Sequence, residues 1–169
     1  MVCTVSDDIV TTSVAVPLDG DGFLRRECPT CEREFKWLPS EGETEGAAPD
    51  SAGYYCPYCA VQANEGWLTK AQVEVARATL MKEVVDPMLD DFTRKLQSSS
   101  SDTFKVTASH QSSPDPPTLS EPDDMRRVDF ACHPTEPIKV LDGWTGAIHC
   151  LICGATAADT PTDETPASS

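Results

Sequence analysis

A chain of 169 residues with 39% hydrophobic and 7% aromatic side chains can bury only a modest core, so the expectation is one ordinary domain or two small ones held by external staples. Its formal net charge of −15, from 28 acidic against 13 basic side chains, disfavours a free-standing nucleic-acid binder, because phosphate neutralisation dominates that affinity. No apolar run approaches the roughly 18 residues that span a bilayer, and the opening residues carry Asp7 and Asp8 without a basic or apolar leader. The expectation is no membrane partner and a reducing cytoplasm, where paired cysteines more often hold metal than form disulfides.

In chain order, residues 1–12 are polar and read as a disordered N-terminus, with Cys3 as a free thiol. Residues 13–66 form a first cysteine-bearing module. Within it Val14-Ala15-Val16 is strand-like, Asp19-Gly20-Asp21-Gly22 is a turn, and Phe35 to Leu38 alternates as a half-buried strand whose returning partner is Gly53 to Tyr55. Residues 39–52 read as a solvated loop in which Glu41, Glu43 and Glu45 face water.

The period then changes to that of a helix over residues 67–97. Thr69 and Gln72 form a capping box, and Val73, Ala76, Leu80, Val84, Met88, Phe92 and Leu96 recur on one stripe, which is expected to pack on the cysteine modules. Pro87 predicts a kink or break near Asp86, since it lacks an amide and clashes with the preceding turn. Residues 98–120 are a Ser/Pro-rich linker in which Phe104 to Val106 is a possible short strand. A second module follows over residues 121–155: Arg126, Val128 and Phe130 lead to Cys132, and Pro137 to Leu141 pairs with Trp144 to His149 across an Asp142-Gly143 turn. Residues 156–169 read as a disordered tail.

The chemistry lies in the cysteines. Cys28-Pro29-Thr30-Cys31 and Cys56-Pro57-Tyr58-Cys59 are two C-x-x-C pairs separated by 24 residues. Four soft thiolates delivered as two tight pairs are what a tetrahedral structural zinc requires. Cys132, His133, Cys150 and Cys153 make a second set, of three thiolates and an imidazole. His149 is the rival fourth ligand, but strand alternation points it away from Cys150's side, so His133 is preferred. Two zinc ions are expected, which takes the charge to about −18. All-sulfur geometry alone does not choose zinc over a rubredoxin-like iron, and a cross-braced exchange of pairs stays open at this stage.

Cys56-Pro57-Tyr58-Cys59 also has the letters of a glutaredoxin site, but that chemistry needs the pair at the start of a helix, and the cap at Thr69 comes too late. No other catalytic fingerprint is present, and closed thiolate-rich sites leave little Lewis acidity for a substrate, so no enzymatic activity is expected.

The two cysteine knuckles at Cys28–Cys31 and Cys56–Cys59 resemble the zinc-ribbon superfamily, with Glu32 and Ala60 standing where ribbons commonly place glycine. Together with Cys132-His133 and His149-Cys150-Leu151-Ile152-Cys153-Gly154, they also resemble short bacterial proteins of actinobacterial type that carry two zinc ribbons. The resemblance implies zinc and a two-ribbon layout, and no activity. The expected fold is small α+β, two zinc-ribbon hairpin modules with one long Pro-kinked amphipathic helix between them.

The expected function is a non-enzymatic interaction or adaptor module for a protein partner. Its surface would be the aromatics near Trp37, Tyr54 and Tyr58, or the helix stripe. The alternatives are a nucleic-acid- or transcription-associated ribbon using Arg25, Arg26, Arg33 and Lys36, and a thiol redox or iron protein.

Overall fold

The computed structural model describes residues 2–5, 8–11, 14–39, 53–98, 107 and 109–157. It is a small α+β protein with antiparallel sheets and one long helix. Near the N-terminus β1 (Val2–Val5) pairs with β2 (Asp8–Thr11), where the sequence predicts a frayed end. The β-branched residues Val2, Thr4, Val5, Ile9, Val10 and Thr11 favour such a pair.

The later hairpins each flank a cysteine-bearing turn. β3 (Leu24–Glu27) returns through Cys28–Cys31 as β4 (Glu34–Trp37), and β5 (Tyr54–Tyr55) returns through Cys56–Cys59 as β6 (Gln62–Ala63). The expected pairing of Phe35 to Leu38 with Gly53 to Tyr55 is therefore corrected. A knuckle is a tight turn, and it delivers the chain directly back alongside the strand that entered it, so local pairing wins.

The second module departs from expectation in a similar way. β7 (Met125–Val128) pairs through the Cys132 turn with β8 (Ile138–Leu141). The turn at Asp142-Gly143 does form, with the Trp144 amide donating to the Leu141 carbonyl at 3.0 Å, but the chain after it does not return along β8. That edge of β8 is already taken by β4. Lys36 lies opposite Lys139 and Trp37 opposite Ile138, so the order β3-β4-β8-β7 makes one four-stranded sheet from both modules.

The two faces of this sheet differ in kind. On one, Phe35, Trp37, Ile138 and Val140 join Trp67, Tyr58, Ile148 and Leu151 in the core. Phe35 meets the rings of Trp37, Tyr58 and Trp67 edge-on, with centroids 5.9, 6.5 and 5.7 Å away. Trp37 and Tyr58 are thus buried and offer no partner surface.

On the other face the facing pair Lys36 and Lys139 is also buried, and Asp19 Oδ2 lies 3.2 Å from one Nζ and 2.9 Å from the other. Asp21 and Asp123 reach Lys139 at 2.6 and 2.9 Å, and Glu121 reaches Lys36 at 2.8 Å, so the segments around residues 19 and 121 cover this face with carboxylates.

The helix begins as its capping box dictates. Thr69 Oγ1 accepts from the Gln72 amide at 3.2 Å, and Gln72 Oε1 accepts from the Thr69 amide at 3.1 Å. α1 (Lys70–Leu80) continues through one π-helical turn, Met81–Val85, into α2 (Asp86–Ser98). The Asp86 amide donates to Met81 O, five residues back, and this widened turn stands where Pro87 predicts a kink.

The helix face that is covered consists of Gln72, Val75, Thr79 and Asp86, the last accepting hydrogen bonds from Ser112 and Ser113 of the linker. The expected packing stripe is covered only in part: Val73, Met88 and Phe92 are 46%, 66% and 57% exposed, while Ala76, Leu80, Val84 and Leu96 are half-buried. The core face of the four-stranded sheet is filled by the chain's own aromatics, so the helix docks through a polar seam, in which Gln72 Nε2 donates to Arg25 O at 3.0 Å. Glu41, Glu43, Glu45 and the Phe104 to Val106 stretch lie outside the described residues.

Candidate metal centres

Three of the four cysteine-bearing turns share one backbone pattern. The amide of the fifth residue donates to the carbonyl of the first cysteine, as Glu32 to Cys28 (2.9 Å), Ala60 to Cys56 (3.0 Å) and Gly154 to Cys150 (2.9 Å). The first cysteine's amide in turn donates one residue further on, to Arg33, Val61 and Ala155. This closure forces the fifth residue to positive φ: 55° at Glu32, 56° at Ala60 and 69° at Gly154. Within the knuckles, amides point at sulfur. Thr30 and Cys31 donate to Cys28 Sγ at 3.3 and 3.4 Å, and Tyr58 donates to Cys56 Sγ at 3.4 Å. The Cys132-His133 turn is built differently, on His133 N–H to Phe130 O and Glu136 N–H to His133 O.

Cys28, Cys31, Cys56 and Cys59 converge, with Cys28 Sγ 3.7 Å from Cys59 Sγ and Cys31 Sγ 3.7 Å from Cys56 Sγ. A tetrahedron of sulfurs about 2.3 Å from a central ion has edges of about 3.8 Å, whereas a disulfide needs about 2.05 Å. The geometry thus fits a shared cation and not a cystine. Cys132, His133, Cys150 and Cys153 converge likewise, with Cys153 Sγ 3.6 Å from Cys132 Sγ and His133 Nδ1 3.4 Å from Cys150 Sγ. A mixed sulfur–nitrogen edge of such a tetrahedron is about 3.5 Å. His149 is not in this group, and its Nδ1 meets the Gly154 carbonyl at 3.1 Å.

Each cluster draws on its own half of the chain, so the pairs are not exchanged between sites. They are nevertheless tied together. The Tyr55 amide donates to Leu151 O at 2.8 Å, the His149 amide to Pro57 O at 2.9 Å, and Gly154 lies so close under Tyr55 that a Cβ would sit 2.9 Å from its ring.

Burial pushes the Cys56 thiol far above its ordinary range, while at Cys28 the amides of Cys31 and Thr30 outweigh burial and hold the thiol below it. A redox Cys-Pro-Tyr-Cys needs a depressed Cys56 at a helix N-terminus. Here the pair turns a hairpin, and Lys70 opens the helix well beyond it. Tyr58 in that motif is a pin: its hydroxyl donates to Glu34 O at 2.7 Å and accepts from the Leu141 amide at 3.0 Å, joining the knuckle to β4 and β8.

The basic side chains offered for nucleic acid are engaged within the protein, although Arg33 is exposed. Lys36 is fully buried, Arg25 pairs with Glu34, Glu121 and Asp124, and the Arg26 and Arg33 guanidinium groups lie over Trp37 and Trp144 at 4.8 and 4.9 Å. Sequence reasoning missed the buried charge layer of Asp19, Lys36 and Lys139. Its signal was a lysine centred in two matching apolar runs, Phe35-Lys36-Trp37 and Ile138-Lys139-Val140.

No family model, curated protein or solved structure matches this chain. Its own geometry carries the reading: two four-residue clusters that could hold metal ions, in an arrangement consistent with zinc ribbons. Among the described residues, no helix is long and apolar enough to cross a membrane.

Proposed function

We propose that this protein is a non-enzymatic scaffold in which two structural zinc ions hold a shared sheet, and that it acts as an adaptor for a protein partner. The observation that carries the reading is the pair of 3.7 Å sulfur–sulfur edges at the first cluster, repeated at 3.6 and 3.4 Å in the second. Four protein donors per ion complete a tetrahedron, which leaves no coordination position for substrate. Thiolate-rich closed sites favour zinc as a folding element, and structural zinc contributes on the order of 10 kcal/mol, which a core of this size needs. A protein partner is supported by Met88 and Phe92, one helical turn apart and 66% and 57% exposed, the highest exposures among the large apolar side chains described. A cytoplasmic setting agrees with reduced thiols in both clusters.

Elemental analysis with native mass spectrometry tests the scaffold: two zinc ions per chain are expected, and Cys31→Ser and Cys153→Ser should each remove about one. Absence of zinc, or iron in its place, would sink it. The adaptor role is tested by affinity capture from the native cell, comparing the parent protein with Phe92→Asp at equal zinc content. A partner retained equally by both forms refutes the helix as its docking face. Binding to DNA or RNA that weakens steeply with salt would instead favour a nucleic-acid role.

A further inference from the structure

The two clusters distribute their ligands in opposite ways. In the first, each close sulfur pair joins a buried cysteine to a half-buried one: Cys28 with Cys59, and Cys31 with Cys56. A disulfide across either of these close pairs must draw a buried sulfur outward. In the second, the buried thiol, Cys150, faces the His133 imidazole, while the two exposed thiols, Cys132 and Cys153, face each other at 3.6 Å. The arrangement places two solvent-accessible thiolates of one metal site within a short displacement of the disulfide bond length.

The geometry points to Cys132 and Cys153 as a hydroperoxide-sensitive thiol pair that closes to a disulfide and releases the second metal ion, while the first ion stays bound. This deepens the two-zinc reading and rests on it. The balance is simple. One thiolate attacks the peroxide O–O bond, forming a sulfenic acid and releasing an alkoxide that takes a proton to become the alcohol. The second thiolate attacks the sulfenic sulfur, forming the S–S bond and expelling hydroxide, which is protonated to water. Two thiolates are oxidised by two electrons, one hydroperoxide is reduced, and two protons are consumed. Only Cys150 and His133 then remain as donors, and two ligands do not retain the dication against solvent.

The rest of the fold is built to survive this step. Knuckle Cys150–Cys153 keeps its docking through Tyr55 N–H to Leu151 O and His149 N–H to Pro57 O, and the shared sheet does not run through either thiol. The new bond would tether the Cys132 turn to that knuckle in place of the metal. The change is therefore local, and a dithiol reductant with added zinc reverses it.

The test uses the full chain carrying Cys3→Ser, so that no thiol outside the clusters competes. Native mass spectrometry first establishes two zinc ions. A chain without them overturns the two-zinc reading itself, before any oxidant is added. tert-Butyl hydroperoxide is then titrated in, with zinc release followed by a chromophoric chelator and disulfides mapped by peptide mass spectrometry. Expected are loss of one of the two zinc ions, a Cys132–Cys153 cross-link lighter by two hydrogens, and return to two ions after dithiothreitol and zinc. Simultaneous release of both ions, a cross-link within Cys28, Cys31, Cys56 and Cys59, or full retention of both ions under oxidation that consumes glutathione would each overturn the proposal.

Discussion

Asp19→Asn isolates the charge layer that fuses the two modules. Asp19 Oδ2 stands between two buried lysines that oppose each other across β4 and β8, at 3.2 and 2.9 Å, and Oδ1 accepts from the Asp21 and Phe23 amides at 3.0 and 2.9 Å. Burial works against the Asp19 carboxylate, but the Lys139 hydrogen bond, the Phe23 amide and Lys36 outweigh it and lower its pKa from 3.8 to about 2. That difference corresponds to about 2 kcal/mol favouring the charged, folded form. Asparagine can still accept the two amides but cannot neutralise the lysines, and removing one partner of a buried ion pair typically costs about 3–5 kcal/mol. Glu121, Asp21 and Asp123 compensate in part, so the expected loss is about 3 kcal/mol.

The assay is urea denaturation of the zinc-saturated protein at neutral pH, followed by tryptophan fluorescence, with an unchanged m-value as the condition for comparison. The sign with pH also follows. Because the folded pKa lies below the unfolded one, the Asp19 contribution is complete above about pH 4 and is lost as pH falls toward 2. The stability difference between parent and variant should therefore shrink across that window, and taking the difference cancels metal loss common to both. A loss under about 1 kcal/mol at neutral pH, or a difference that grows on acidification, would refute the assignment of Asp19 as the central counter-ion.

The knuckle closure makes two predictions of opposite sign. Ala60→Gly should stabilise the zinc-bound protein by up to about 1 kcal/mol in the same urea assay, since a non-glycine residue at φ 56° is strained, whereas Gly154→Ala should destabilise it by about 2 kcal/mol or more because it adds both that strain and a Cβ 2.9 Å from the Tyr55 ring. At the second cluster, His133→Ala should lower bound zinc by about one ion, while His149→Ala leaves both in place. Cobalt substitution reads the same distinction, because the three-sulfur, one-nitrogen spectrum should vanish only in His133→Ala.

What the sequence made legible is what depends on near neighbours. The C-x-x-C pairs, the Thr69–Gln72 capping box and the preference for His133 over His149 all rest on spacings of a few residues, and the structure brings together the eight residues those spacings single out. The strand partners were misread because Phe35 to Leu38 and Gly53 to Tyr55 are each plausible strands, and nothing local says that a knuckle returns its own strand first. Pairing of Lys36 with Lys139 is beyond local reasoning altogether, since a lysine in an alternating strand looks like the solvent-facing residue. The helix stripe was misjudged for a related reason. Its period is helical and correct, but which face docks was decided by Gln72 and Asp86 finding partners in Arg25, Ser112 and Ser113.

Lysines at the centres of β4 and β8 also explain why the modules join in one way. Had either hairpin stood alone, its central strand would be an open edge, and a lysine there discourages chance pairing with another chain. Bringing the two edges together places like charges directly opposite, which is destabilising on its own. The joint becomes favourable only when Asp19, Glu121 and Asp123 arrive from two other segments to neutralise the pair. The strongly acidic composition is therefore partly internal: several of the carboxylates behind the net charge are committed to this layer. The same lysines that exclude foreign strands make the native joint conditional on the chain's own acidic segments, so correct assembly of the sheet and coverage of its second face are one event.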